Sequence, residues 1–265
     1  MPKIHPTAVV DPKAIIADCV EIGPLCYVGP NVKIGEGTKL LSQCNVDGYT
    51  TIGKNNTIHP FAALGQNAQD LSLGVGKTYL DIGDGNTFRE GSTVHCGTKE
   101  DSHTIVGNNC YFMNNCHVAH NCTIGDGVIM VNCSSVAGYV EVGDRAILSG
   151  YSGVHQFCKI GRLVMISACS VFSQDIVPFV MAEGRNGNIM GINIIGCRRA
   201  GISNANIKVL RELFKIFFRS GLNVSNAIAK IKEELEQTPE VLEFLEFVAN
   251  SERGVHQART AGKRA

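Results

Sequence analysis

The sequence predicts a mainly β protein: a left-handed parallel β-helix of about ten coils, followed by an α-helical C-terminal domain. Three observations support this class. An aliphatic residue recurs at every sixth position, glycine is abundant while aromatic residues are few, and the apolar spacing becomes helical after Phe172. We assign residues 1–190 to the β-helix, with loops near 66–77 and 97–104, and residues 191–265 to the helical domain.

The six-residue period runs from Ile4 to Phe172, and 26 of its 29 positions are apolar. The exceptions are Asp70, Gly76 and Glu100, which fall in the two loops. A period of six is typical of hexapeptide repeats, in which each short strand points one aliphatic side chain inward before the chain turns a corner. Three such hexads close a triangular coil, and neighbouring coils stack at roughly 4.8 Å.

A second inward position, two residues before each aliphatic, should hold small side chains because three strands converge there. Its occupants are Ala8, Ala14, Val20, Cys26, Cys44, Ala62, Ser92, Cys110, Cys116, Cys122, Ser134, Ala146, Ser152 and Cys158. We therefore interpret these cysteines as small buried hydrophobic residues. Glycine often follows the aliphatic, as at Gly23 and Gly125, and is expected to ease the bend at the corner.

The C-terminal part carries helical signals. Apolar spacing predicts helices over residues 206–219 and 225–236. A third helix is expected to begin at Pro239, with Thr238 as its N-cap. The tail after Gly254 has no periodicity and is expected to be disordered.

Composition excludes several classes of protein. The 265 residues are 44% hydrophobic and 18% charged with no net formal charge, so no bulk charge favours nucleic acid or a membrane surface. No run approaches the roughly 20 apolar residues of a membrane span, and no signal peptide is evident, so we expect a cytoplasmic protein. The 11 cysteines, an odd number scattered along a long chain, are expected to be thiols.

The stretch Asn114–Cys122 raises the possibility of a metal site. On spacing alone, Cys116, His117, His120 and Cys122 could form a tetrahedral zinc set. The repeat phase places both cysteines inward and both histidines outside the inward positions, so the four side chains cannot readily share one ion. We therefore expect no metal here and interpret His117 as structural.

Function must be sought among outward residues, because the β-helix is a scaffold. Positions 18 residues apart lie in one surface column, so Gly138 is expected directly above His120, with Gln156 above it and His155 alongside. An exposed imidazole can act as a general base, and a glycine one coil away offers a backbone N–H suited to an oxyanion. This pairing favours acyl transfer.

An ordered set of motifs carries a family resemblance: QDL (69–71), TVHCG (93–97), NNCHVAHNCTIGD (114–126), GVHQFCKIG (153–161) and GINIIGCRRAG (191–201). With these motifs the chain resembles the UDP-N-acetylglucosamine O-acyltransferases, which make the first committed transfer of lipid A biosynthesis. The resemblance covers essentially the whole chain. The hexapeptide repeat alone is less specific, since other acyltransferases and γ-class carbonic anhydrases share it.

The resemblance implies transfer of a 3-hydroxyacyl chain from acyl carrier protein to the glucosamine 3-hydroxyl, by a homotrimer that needs no cofactor. It also implies residue roles: His120 as general base, the Gly138 N–H as oxyanion donor, Gln69, Asp70, His95, His155 and Gln156 around the sugar nucleotide, Asn193 and Arg199 on its nucleotide part, Ala168 as the acyl-length ruler, and Arg211 for the carrier protein. Asn121 stands where the family commonly has Asp.

Four alternatives remain open at this point. Some relatives acylate a 3-amino sugar and form an amide. The later N-acyltransferase of the same pathway carries a uridine-binding domain before its β-helix, whereas here the repeat begins at Ile4. A zinc-dependent γ-class carbonic anhydrase would need outward histidines spaced to meet across an interface. A non-catalytic solenoid would leave the loops and the histidine column unexplained.

Overall fold

The computed structural model describes residues 1–71, 73–185 and 187–258. Within these ranges the chain forms 28 β-strands, most of them two residues long, and then four α-helices. The strands in chain order are β1 (Lys3–Ile4), β2 (Val9–Val10), β3 (Ile15–Ile16), β4 (Glu21–Ile22), β5 (Tyr27–Val28), β6 (Lys33–Ile34), β7 (Lys39–Leu40), β8 (Asn45–Val46), β9 (Tyr49–Ile52), β10 (Thr57–Ile58), β11 (Ala63–Gln66), β12 (Tyr79–Ile82), β13 (Thr87–Phe88), β14 (Thr93–His95), β15 (His103–Val106), β16 (Tyr111–Phe112), β17 (His117–Val118), β18 (Thr123–Ile124), β19 (Ile129–Met130), β20 (Ser135–Val136), β21 (Glu141–Val142), β22 (Ile147–Leu148), β23 (Gly153–Val154), β24 (Lys159–Ile160), β25 (Met165–Ile166), β26 (Val171–Phe172), β27 (Val180–Glu183) and β28 (Asn188–Ile192).

The strands form three long sheets. The first sheet has the order β1-β4-β7-β10-β13-β16-β19-β22-β25-β27-β28, the second β2-β5-β8-β11-β14-β17-β20-β23-β26, and the third β24-β21-β18-β15-β12-β9-β6-β3. Pairing is parallel and follows the repeat, as where Val118 pairs with Val136 one coil later. Only the β27–β28 pair is antiparallel among the described strands. The predicted parallel β-helix is therefore confirmed.

Both predicted inward positions fill the core. From the second coil on, the repeat aliphatics are buried, for example Val118 at 0% exposure, and so are the small side chains two residues earlier, such as Cys116 at 1%. The first coil is the end of the stack, and there Ile4 is 44% exposed. The thiols of Cys116 and Cys122 donate to the carbonyl oxygens of Met130 and Ala137, each at 3.1 Å. Burial raises the pKa of Cys122 to about 12, so this cysteine is a neutral core residue.

The expected role of the repeat glycines was wrong in its mechanism. Gly23 and Gly125 do not have positive φ; the left-handed conformation at the corners belongs to other residues, such as Leu25 at φ 56° and Asn121 at φ 58°. A Cβ on Gly23 would instead overlap the carbonyl oxygen of Leu41 in the next coil. These glycines are needed because the backbones of successive coils approach closely, not because the corner bends through them.

The two predicted loops leave the coil at one corner, between the second and third sheets. The first lies between Gln66 and Tyr79, and the second between His95 and His103. They stack on each other, with the Asp101 N–H donating to the Lys77 carbonyl at 2.8 Å. The two loops therefore make this the thick corner of the β-helix. It lies next to the coils that follow the loops in the chain.

The helices are α1 (Ile194–Arg199), α2 (Asn204–Arg219), α3 (Val224–Glu234) and α4 (Pro239–Ala249). The Thr238 side chain caps α4 by accepting from the Val241 N–H, as predicted. Helix α1 and the β27–β28 hairpin were not anticipated. The Arg162 guanidinium donates to both carboxylate oxygens of Glu243 and ties the β-helix to α4. The division at 190/191 stays a prediction.

The prediction of a disordered tail after Gly254 is wrong for residues 255–258. Val255 and Ala258 are 8% and 9% exposed and form bridges with Asp175 and Ile189. His256 is buried too, and its Nε2 accepts from the backbone N–H groups of residues 173 and 174. The segment lacks periodicity because it closes the end of the solenoid in a single pass. Residues 259–265 lie outside the described part of the chain.

The longest helix, α2, has 16 residues and is amphipathic. A membrane span needs about 20 predominantly apolar residues. No helix in the described ranges is both long and apolar enough to cross a bilayer. The cytoplasmic location stays a prediction.

Candidate active site

The imidazole of His120 lies at the thick corner, between β17 and β18, with 12% of its side chain exposed. It borders a cavity of about 470 Å³ on the outer surface of the second sheet. The residues around this cavity are Gln69, His95, His117, Ala119, His120, Ser135, Val136, Ala137, Gly138, Gly153, Val154, His155, Gln156 and Val171. The structure thus brings six of the sequence-predicted residues around one space.

Gly138 lies one coil above His120 and in contact with its ring. A Cβ built on Gly138 would lie 2.6 Å from Nε2 and 3.0 Å from Nδ1 of His120, so no other residue fits without moving the imidazole. The Gly138 carbonyl accepts from the Phe157 N–H at 3.0 Å. Its own N–H has no hydrogen bond to any described residue, and Gly138 borders the cavity.

Three groups surround the His120 ring. Asn121 Oδ1 lies 3.0 Å from Nδ1. A carboxylate oxygen of Asp70, from the first loop, lies 3.6 Å from Nε2. The Tyr139 ring contacts the imidazole edge to face, with centroids 5.4 Å apart. The Asp70 carboxylate can stabilise the positive charge that the ring gains when Nε2 takes a proton.

His95 and His117 form a second imidazole pair beside His120. Their rings meet edge to face at 4.8 Å, and Nδ1 of His117 is 2.7 Å from the Thr93 hydroxyl. Burial, and then the neighbouring histidines, lowers the pKa of His117 to about 4; burial, and then His120, also lowers the pKa of His95. Both rings are therefore neutral at physiological pH and add hydrogen-bonding capacity to the cavity without charge.

The buried Nδ1 atom of His95 has no hydrogen-bond partner among the described residues. Burying a polar atom without a hydrogen bond is unfavourable in free energy unless a bound molecule supplies the partner. The residue His95 borders the cavity. Across the same cavity, His155 and Gln156 are exposed, and Nδ1 of His155 is 3.2 Å from the Gln156 carbonyl oxygen.

Asn193 and Arg199 border a different cavity, of about 650 Å³, on the outer face of the first sheet beside α1. Asn193 caps α1 by accepting from the Gly196 N–H at 2.9 Å, and its amide donates to the Leu163 carbonyl at 2.9 Å. The backbone thus already fixes this amide. Within one chain, these two predicted nucleotide residues do not join the His120 cavity.

The two remaining predicted residues lie elsewhere. Ala168 is exposed at a corner between the first and second sheets. Arg211 is exposed on α2. Sequence reasoning missed Thr98, whose hydroxyl and N–H both reach Asn121 Oδ1. No periodic signal marks a loop residue, whereas Tyr139, 18 positions after Asn121, could have been found from the column.

The zinc arrangement considered for the stretch 114–122 does not form. The sulfurs of Cys116 and Cys122 are inside the core, and the imidazoles of His117 and His120 are on the outer side of the sheet. In the described part of the chain, no three His, Cys, Asp or Glu residues are grouped to hold a metal ion.

Two family models and a curated relative match this chain. Residues 175–256 match the family model of UDP N-acetylglucosamine O-acyltransferase, domain 2, and residues 103–138 match the bacterial transferase hexapeptide model. The chain is 42% identical over 256 residues to an acyl-[acyl-carrier-protein]–UDP-N-acetylglucosamine O-acyltransferase of Thermodesulfovibrio yellowstonii, covering 96% of this chain and 99% of that one.

Solved structures give the same result. A UDP-N-acetylglucosamine acyltransferase from Bacteroides fragilis superposes with a TM-score of 0.94 at 40% identity, covering 96% of this chain and all of that one. The UDP-N-acetylglucosamine O-acyltransferase of Moraxella catarrhalis gives 0.91 at 40% identity, covering 96% and 99%. Because relatives of this identity align over almost the whole chain and share its fold, the chain belongs to the UDP-N-acetylglucosamine O-acyltransferase family.

Proposed function

We propose that this protein transfers a 3-hydroxyacyl chain from acyl carrier protein to the 3-hydroxyl of UDP-N-acetylglucosamine, the first step of lipid A biosynthesis. One observation carries the proposal. The His120 imidazole lies against Gly138, whose N–H has no hydrogen bond to a described residue, and both border a cavity that is also lined by the neutral histidines His95 and His117. A general base beside an oxyanion donor is what acyl transfer requires.

The proposed reaction passes through a tetrahedral intermediate. Nε2 of His120 takes the proton of the sugar 3-hydroxyl while the oxygen attacks the thioester carbonyl carbon. The Gly138 N–H donates to the oxyanion of the tetrahedral intermediate. Its collapse breaks the C–S bond, and the imidazolium returns its proton to the departing carrier thiolate. The thioester is already activated, so we propose that no cofactor takes part.

Substrate binding divides between the two cavities. Around His120, we propose that Gln69, Asp70, His95, His155 and Gln156 hold the sugar, and that the otherwise unpartnered His95 Nδ1 hydrogen-bonds it. In the other cavity, Asn193 and Arg199 would contact the nucleotide. A guanidinium suits a diphosphate, since it can pair with two oxygens at once.

These cavities lie on different faces of one chain, so a substrate that uses both would need two copies. The outward residues of the first sheet support such packing, because Ile129, Ile147 and Met165 present an apolar strip. The third sheet instead presents Glu141 and Lys159. We propose a homotrimer with the active sites between neighbouring β-helices, and light scattering should give the mass of three chains.

The helical region is the proposed docking surface for the carrier protein. Arg211 lies on the exposed side of α2, with Lys208, Lys215 and Arg219 on the same helix. Acyl carrier protein is acidic, and clustered basic side chains steer an acidic partner toward the surface that carries them.

Ala168 is proposed as the acyl-length ruler. Each additional buried methylene contributes about 0.8 kcal/mol, so the chain should extend until a side chain blocks it. We expect Ala168→Met to shift the preferred donor to shorter acyl chains, and Ala168→Gly to allow slightly longer ones. Initial rates with 3-hydroxyacyl carrier proteins of several lengths would measure this. An unchanged preference in both variants would remove Ala168 from this role.

The function is tested by product mass. Purified protein is incubated with UDP-N-acetylglucosamine, and in parallel with its 3-amino analogue, together with the same panel of donors. We expect a mono-acylated UDP-N-acetylglucosamine whose acyl group is released by mild alkali, as an ester is. An alkali-stable product from the amino sugar alone would move the assignment to amide formation. No product from either acceptor would overturn the proposal.

A further inference from the structure

The amide of Asn121 has only one orientation that fits its neighbours. Its Oδ1 position lies 3.1 Å from the backbone nitrogen of Thr98 and 3.0 Å from Nδ1 of His120. A backbone N–H can only donate, so the atom facing it must be the amide oxygen and not the amide nitrogen. The hydrogen-bond network therefore fixes which atom of Asn121 faces the imidazole.

This orientation determines the tautomer of His120. An amide oxygen has no hydrogen to give, so Nδ1 must carry the proton in the bond between them. Nε2 is then left with its lone pair, and it is the nitrogen next to Gly138 and Asp70. The base function thus depends on which way the Asn121 amide points.

Thr98 is the residue that holds the amide. Besides its N–H, the Thr98 hydroxyl donates to the same Oδ1 at 2.9 Å. The Tyr139 hydroxyl lies 3.2 Å from the Thr98 hydroxyl. Thr98 is 4% exposed and belongs to the second loop. The backbone N–H of Asn121 is also held, by the Thr104 hydroxyl at 2.8 Å. Two coils and the loop therefore fix Asn121 from several sides.

We propose that Thr98 is a positioning residue for the acyl transfer proposed above: through Asn121 it keeps His120 in the Nδ1–H form, with Nε2 as the base. The inference rests on the proposed function for its kinetic consequence, but the tautomer itself can be observed without activity. The proposal also assigns a role to the second loop, which holds Asn121 beside His120 at the thick corner. A neutral amide serves here as the orienting group at Nδ1, while the Asp70 carboxylate lies on the Nε2 side of the ring.

The kinetic test uses Thr98→Val, which removes the hydroxyl and keeps the shape and the N–H, with Thr98→Ser as the matched control that keeps the hydroxyl. One lost hydrogen bond corresponds to a fall in kcat of about 3- to 10-fold for Thr98→Val. For Asn121→Ala, which loses the acceptor, we expect kcat to fall by roughly 10- to 100-fold with little change in KM. Thr98→Ser should stay close to wild type.

The double variant separates positioning from general destabilisation. If Thr98 acts through Asn121, the Thr98→Val change should have almost no further effect on kcat in the Asn121→Ala background. An equal fall in both backgrounds would overturn the proposal. Asn121→Asp keeps an acceptor oxygen and adds a charge that favours the imidazolium, so the acidic limb of its pH–rate profile should move to higher pH. An unmoved limb would mean that residue 121 does not contact the imidazole, which would contradict the inference.

Nitrogen NMR of ¹⁵N-histidine-labelled protein gives a readout that needs no turnover. Above pH 7, His120, assigned by its loss in His120→Gln, should show a protonated Nδ1 and an unprotonated Nε2. Thr98→Val and Asn121→Ala should move it toward a mixture of tautomers. An Nε2–H form in wild type would overturn the inference even if the enzyme is active. A wild type that shows the Nδ1–H form but yields no acylated product would instead overturn the proposed function.

Discussion

Replacing His120 by alanine is expected to lower kcat by about 100- to 10,000-fold, the range that a positioned general base usually contributes. The fold should survive, because the ring lies outside the aliphatic core and its main contacts are at the corner surface. The KM for UDP-N-acetylglucosamine should change much less, since the cavity keeps its other side chains. Steady-state rates with the preferred carrier-protein donor measure both constants.

A matched control is His103→Ala. His103 is also exposed at the surface and pairs with Asp81, but it belongs to the third sheet and does not border the His120 cavity. It should retain the wild-type kcat, which would exclude a general effect of losing a histidine. Activity in His120→Ala close to that of His103→Ala would contradict the assignment of the base.

The Gly138→Ala variant should be damaged almost as strongly, although it removes no functional group. Its new Cβ would lie 2.6 Å from Nε2 of His120, so the ring must move. Displacing a catalytic group by about 1 Å can cost on the order of 100-fold in rate. The backbone itself tolerates alanine here, since the φ of Gly138 is not positive. We therefore expect a large fall in kcat with a melting temperature close to wild type.

Two comparisons sharpen this expectation. Gly191→Ala is the control, because no atom lies within 4 Å of the Cβ it would gain and its φ is not positive; its kcat should be unchanged. The double variant with His120→Ala should be no slower than His120→Ala alone, because the added methyl group acts by displacing the ring and leaves the backbone N–H in place. A further fall in the double variant would mean that the alanine disturbs the oxyanion donor or the substrate instead.

Much of the scaffold could be predicted because the repeat reports burial directly. The core requires an aliphatic residue at every sixth position and a small residue two positions before it, and this pattern can be recognised in a single sequence. Val118 and Cys116 occupy these two positions and are buried, as expected. The cap at Thr238 was equally readable, since its chemistry is local. The column logic also placed Gly138 against His120 correctly.

The remaining features depend on contacts that no period encodes. Residues 255–258, which include His256, cover the end of the β-helix in a single pass, so their burial produces no periodic pattern in the sequence. Thr98 reaches Asn121 because two loops stack at one corner, which spacing along the chain does not reveal. Helix α1 is too short for an apolar stripe, and its cap, Asn193, was interpreted as a binding residue alone.

The stacking of coils at the strand separation of roughly 4.8 Å also makes the catalytic geometry discrete. His120 and Gly138 occupy adjacent rungs of one column, and Gln156 occupies the next, so their separations along the axis come only in whole steps of the backbone ladder. Insertions at the corner can lengthen a loop but cannot slide one rung against another. The backbone therefore fixes the spacing of the site, and substitutions can change only which side chain occupies each coil position.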